Sequence, residues 1–130
     1  FLTAPLTPQT HGLIDAEAVS RMKPGCILVN VARGGLVVAA AVAEGLASGR
    51  LDSAGFDVTP EEPPAADSPL WTAPNLLLTP HVGGQSATRI DRMTDLFCAN
   101  LVRYSEWQSL INAVDKQLGF PPPDGPPLPF

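Results

Sequence analysis

Cysteine is scarce in this 130-residue chain: Cys26 and Cys98 stand far apart, in no metal-ligand or redox spacing. Basic residues are few, 8 Lys and Arg against 13 Asp and Glu, for a formal charge of −5 and a pI near 4.7. That balance leaves no electrostatic footprint for nucleic acid or an anionic membrane. No apolar run approaches the roughly 18–20 residues needed to cross a bilayer. The opening Phe1-Leu2-Thr3-Ala4-Pro5 lacks a basic start and a small-residue cleavage site, so no signal peptide is expected. With so little cysteine, this points to a cytoplasmic protein. A start at Phe rather than Met reads as text that begins mid-protein. Also absent are G-x-G-x-x-G, a Walker loop, G-x-S-x-G and a paired-His zinc motif. No metal is therefore expected.

What is present describes one ordinary domain at most. Hydrophobic residues make 45% and charged residues 16%, a normal globular balance. The 15 prolines are about twice the average share, and they are clustered. Six fall in the last ten residues, so 120–130 reads as a disordered or extended Pro-rich tail. Pro60-Glu61-Glu62-Pro63-Pro64 reads as a loop. Between these, the pattern alternates. Asp15 is a capping residue for a short helix that stops before Pro24-Gly25. Cys26 to Val31 is an apolar, β-branched run, expected as a strand buried on both faces. Val38 to Ser48 is an Ala-rich helix ended by Gly49. Ser53 to Val58 and Asn75 to Thr79 read as two further buried strands. Ser86 to about Glu106 is a long helix with Ile90, Met93, Phe97 and Leu101 at helical spacing. Strands alternating with helices predict an α/β fold: part of a doubly wound parallel sheet, with a C-terminal helix.

In such sheets ligands bind beyond the carboxyl ends of the strands. The three strands deliver Arg33, Asp57 with Glu61 and Glu62 close behind, and His81 to that edge. Each has a plain alternative. Arg33 caps a loop, or its guanidinium fork grips a carboxylate in two hydrogen bonds. Glu62 is a solvated acid, or it holds an imidazole. Asp57 caps a turn, or it accepts a hydrogen bond from a ligand amide. His81 is a turn histidine, or a proton carrier, since a free imidazole titrates at about 6.5. His11, in a polar turn, reads as structural or exposed.

Six strings occur in order: Pro5-Leu6-Thr7-Pro8-Gln9-Thr10, Met22-Lys23-Pro24-Gly25, Val29-Asn30-Val31-Ala32-Arg33-Gly34-Gly35, Gly55-Phe56-Asp57-Val58, Glu62-Pro63, and Leu78-Thr79-Pro80-His81-Val82-Gly83-Gly84. Together they resemble the D-isomer-specific 2-hydroxyacid dehydrogenases, over about residues 2 to 119. The resemblance implies a Rossmann-type nicotinamide-cofactor domain, of which residues 1–119 supply the C-terminal half. Leu110 to Asp115 resembles the return to a second, substrate-binding domain. The family's Gly-rich fingerprint and ribose-reading acid would lie before Phe1, which leaves NAD or NADP open. The resemblance assigns His81 as acid/base and Glu62 as its partner, because Glu62 rather than Glu61 directly precedes a proline. It gives Arg33 the substrate carboxylate and carbonyl oxygens, and Asp57 the nicotinamide carboxamide. Ala4, Pro5, Val31 and Ala32 would line the cofactor along with Arg33 and His81, with Thr3 adjoining that stretch. Gly83 and Gly84 would give it room beside His81.

The implied reaction is hydride transfer between the nicotinamide and a small 2-hydroxy or 2-oxo acid, in a homodimer when full length. Trp71 within Ser68-Pro69-Leu70-Trp71, and Gly84-Gln85-Ser86, look most like the glyoxylate and hydroxypyruvate reductase-like members. Two other readings compete: a non-enzymatic dehydrogenase-like binding module, and a fragment without activity. Binding alone has no need of Arg33, Glu62 and His81 together. NADH oxidation with glyoxylate or hydroxypyruvate separates the readings.

Overall fold

The computed structural model describes residues 1–122; the Pro-rich segment 123–130 lies outside the described residues. The chain divides into two compact units, Phe1–Gly83 and the segment from Gly84 onward.

The first unit holds helices α1 (Ala16–Arg21) and α2 (Ala39–Ala47) and strands β1 (Cys26–Asn30), β2 (Leu51–Phe56) and β3 (Leu76–Leu78). Two 3₁₀ turns, Gly34–Leu36 and Pro69–Trp71, lie in the connections. Local chemistry sets the helix ends. Asp15 Oδ1 accepts from Ala18 N at 2.8 Å, satisfying a donor that the first helical turn leaves without a partner. Gly49 takes φ +73°, the left-handed conformation that stops α2. Arg50 donates to the carbonyls of Val19 and Ser20, placing a cation at the C-terminal end of α1.

The sheet is parallel, in the order β1-β2-β3. Its register forms two rows on one face, Leu28–Ala54–Leu76 and Asn30–Phe56–Leu78, and the row Val29–Gly55–Leu77 on the other. The core lies on the first face. Leu28, Ala54 and Phe56 meet Val19 of α1, Val42 and Leu46 of α2, and Leu70 there. Phe56 is 1% exposed, and burying such a ring contributes about 1.5–3 kcal/mol. Gly45 is where α2 meets α1 and β2: a Cβ there would stand 2.7 Å from Val19 Cγ1.

The other face departs from the expectation that the strands are buried on both sides. Ile27 is 61% and Leu77 67% exposed. Val19 of α1 and Val42 and Leu46 of α2 all join the cluster on the first face. β3 is also shorter than expected, because Asn75 adopts φ +53° and donates its side-chain amide to the Asp52 carbonyl at 3.0 Å.

The second unit is built on α3 (Arg89–Ser105), which has no buried residue. Its apolar stripe at Ile90, Met93, Phe97 and Leu101 is exposed. Asn100 holds the following segment at both ends of its amide: Nδ2 donates to Ile111 O at 3.0 Å, and Oδ1 accepts from Ile111 N at 2.7 Å. Asp115 bridges Phe120 in an isolated antiparallel pair. Among the described residues no helix is long and apolar enough to cross a membrane, and no group of three or more His, Cys, Asp and Glu could hold a metal ion.

Candidate active site

The strands' carboxyl ends lie side by side because the ladder continues past them. Asp57 N donates to Asn30 O at 3.0 Å, and Thr79 N donates to Phe56 O at 2.9 Å. On the far side of β1, Leu2 bridges Asn30, which brings Thr3, Ala4 and Pro5 to the same edge. Pro5 is exposed, and its carbonyl accepts from Thr10 Oγ1 at 2.7 Å.

Glu62 and His81 come together here. Glu62 Oε2 lies 2.7 Å from His81 Nδ1, and Oε1 accepts from Thr59 N at 3.1 Å. The hydrogen bond from His81, aided by the Thr59 amide, holds the Glu62 carboxyl below its ordinary range, against the opposing effect of burial. Glu62 is therefore ionised at neutral pH and only accepts, so Nδ1 carries the proton of this contact. Nε2 is then the nitrogen left to face a ligand, as acceptor when His81 is neutral and as donor when it is charged. Both side chains are roughly half exposed. The Glu62-Pro63 peptide is cis. Glu61 contributes its backbone carbonyl instead, to Thr59 Oγ1 at 2.7 Å. A cavity of about 370 Å³ opens beside the pair, lined by Asp57, Thr59, Glu62, Trp71, Leu78 and His81 among others.

Asp57 is 7% exposed. Its Oδ1 accepts from Thr79 Oγ1 at 2.6 Å and Val82 N at 2.9 Å, and its Oδ2 accepts from Gly83 N at 2.7 Å. These three donors, Thr79 first, hold its carboxyl below the ordinary range. Gly83 is glycine for a reason the sequence does not show: a Cβ would stand 2.8 Å from Asp57 Oδ2. At Gly84 a Cβ would meet nothing within 4 Å.

Arg33 is exposed on the turn after β1, and its Nη1 donates to Ala32 O at 2.7 Å. It does not line the cavity beside Glu62 and His81. Val31 is exposed, and Ala32 is 9% exposed. The turn is held by Asn30, which is fully buried: Oδ1 accepts from Ala32 N at 3.1 Å, and Nδ2 donates to Arg33 O at 3.0 Å. Asn30, Thr59 and Thr79 are the polar residues that sequence reasoning passed over. The one available signal was a polar side chain closing an apolar strand, at Asn30 after Cys26-Ile27-Leu28-Val29 and at Thr79 after Leu76-Leu77-Leu78.

A parallel sheet presenting an imidazole–carboxylate pair and an arginine beyond its strand ends is the architecture of a Rossmann-like NAD-binding fold. Residues 1–83 match the profile described as D-isomer specific 2-hydroxyacid dehydrogenase, NAD binding domain. The chain belongs to that family. It is 41% identical over 119 residues to glyoxylate/hydroxypyruvate reductase B of Pectobacterium atrosepticum, covering 90% of this chain and 37% of that protein. It is 49% identical over 88 residues to D-3-phosphoglycerate dehydrogenase of Mycobacterium tuberculosis, covering 68% and 16%. Among solved structures, a D-isomer specific 2-hydroxyacid dehydrogenase from Xanthobacter autotrophicus Py2, in complex with NADPH and MES, superposes with a TM-score of 0.81 at 36% identity. That match covers 91% of this chain and 38% of that one. The chain thus spans between about a sixth and two fifths of the length of these relatives.

Proposed function

We propose that this chain carries the acid–base half of an NAD- or NADP-dependent oxidoreductase that interconverts D-2-hydroxy acids and 2-oxo acids. The observation that carries this reading is the 2.7 Å contact between Glu62 and His81 at the carboxyl edge of the sheet. A binding module has no use for an ionised carboxylate that fixes which imidazole nitrogen faces outward. The reading brings with it the family expectations of a homodimer and a cytoplasmic location.

The residues present suit the nicotinamide end of the cofactor. An ionised carboxylate offers about four acceptor positions, and Asp57 uses three, leaving one for a carboxamide N–H. Val31, Ala32, Ala4 and Pro5 supply an apolar border at the same strand ends, with Gly83 and Gly84 beside His81. When bound, the cofactor supplies or accepts the hydride at the substrate's C2. The protein's part is position and charge. Arg33 grips the substrate carboxylate and steadies negative charge growing on the carbonyl oxygen. His81 Nε2 gives its proton to that oxygen in reduction and takes it back in oxidation. Glu62 keeps the imidazole aligned throughout.

The test is NADH and NADPH oxidation by the full-length protein with glyoxylate and hydroxypyruvate. Turnover with either supports the reading, and the faster coenzyme settles the preference. No turnover of any small 2-oxo acid with either coenzyme overturns it. The 130 residues by themselves hold no Gly-rich phosphate-binding turn, so turnover by this segment alone is expected to be negligible.

A further inference from the structure

The resemblance gives Asp57 a single duty toward the nicotinamide. Its three hydrogen bonds describe another. Their donors lie on both sides of His81 along the chain: Thr79 Oγ1 two residues before it, Val82 N and Gly83 N one and two residues after it. His81 itself sits at φ +54°, and its own N–H turns back onto Thr79 O at 3.0 Å. Non-glycine residues leave that region unless outside contacts hold them there. Thr79 is anchored in turn, since its N–H continues the ladder to Phe56.

We propose that Asp57 and Thr79 form a clamp that positions His81, holding its backbone in the left-handed conformation so that Nδ1 meets Glu62 and Nε2 faces the substrate oxygen. The proposal rests on the reading of His81 as the acid/base. Both members of the clamp are positioning residues. Thr79 acts through its hydroxyl on Asp57 and through its carbonyl on the His81 amide. Gly83 completes the fit, because a Cβ there would crowd the same carboxylate.

Thr79 allows the clamp to be tested apart from the cofactor contact. Thr79→Val keeps the shape of the side chain and removes one donor to Asp57; Thr79→Ser keeps the donor. In the full-length protein Thr79→Val is expected to lower kcat about 10- to 100-fold, the scale of a misplaced catalytic group. KM for the coenzyme should stay within about twofold, because Asp57 retains its charge and its remaining acceptor position. Thr79→Ser should restore most of kcat. The downfield proton resonance of His81 Nδ1–H, bonded to Glu62, should weaken or shift in Thr79→Val and recover in Thr79→Ser. A Thr79→Val enzyme with unchanged kcat and an unchanged Nδ1–H resonance overturns the clamp. If the wild type proves to have no dehydrogenase activity, the proposed function fails while the resonance still decides the clamp. Should Thr79→Val fail to fold, an experimental structure of the wild type decides: His81 at negative φ, or Asp57 turned away from Thr79 and Gly83, overturns the proposal.

Discussion

A Cβ placed on Gly34 would fall 1.9 Å from both the carbonyl carbon and the carbonyl oxygen of Thr59. Two site segments are thus pressed backbone to backbone. Gly34 directly follows Arg33, and the Thr59 amide holds Glu62 Oε1. The arginine-bearing turn and the glutamate-bearing loop share one contact, and glycine is the residue that permits it.

Gly34→Ala is the sharpest structural prediction from this contact. The neighbour is backbone, so no rotamer change relieves the clash. The variant should lose at least about 1–3 kcal/mol, the range for overpacking a tight site. Urea unfolding of the full-length protein measures it, and a midpoint equal to wild type would show that the two segments do not meet as described.

His81→Ala removes the proton carrier and should lower kcat by on the order of 10²–10⁴. Steady-state assays with a 2-oxo acid check this, and a variant with near-native turnover would take His81 out of the mechanism.

Acid should loosen this edge of the sheet. Asp57 and Glu62 both have folded pKa values below their unfolded ones. Groups depressed in this way contribute stability that is fully present above the unfolded pKa, about 3.9 for Asp and 4.3 for Glu, and that is lost as pH falls through the folded pKa. Tm should therefore drop below about pH 4.5, more steeply for wild type than for Asp57→Asn or Glu62→Gln. Parallel Tm–pH curves for wild type and both variants would refute the assignment.

Asn30→Ala should destabilise by about 1–3 kcal/mol, because it strands the buried Ala32 N–H without its acceptor. It should also raise KM for the oxo acid, since the same side chain holds the Arg33 carbonyl. Thermal unfolding reads the first effect and substrate titration the second.

The sequence by itself determined the local features. Asp15 and Gly49 mark helix ends because a cap and a left-handed stop act within one turn of chain. The apolar runs at Cys26, Ser53 and Asn75 mark strands because a parallel strand is built from such residues. The order of Arg33, Asp57, Glu62 and His81 along those strands was legible for the same reason. Only the tertiary structure decided which groups meet. Asp57 reaches Gly83 across 26 residues of chain, and Thr79 across 22. Gly34 needs to be glycine because of Thr59, and Gly83 because of Asp57. Nothing within a few residues of any of these positions announces its partner. Likewise, periodicity could not show that Ile27 and Leu77 are exposed, because exposure depends on where the helices pack. Spacing carries information over one turn or one pleat. Contacts across the sheet edge are fixed by strand register, which is a property of the folded chain.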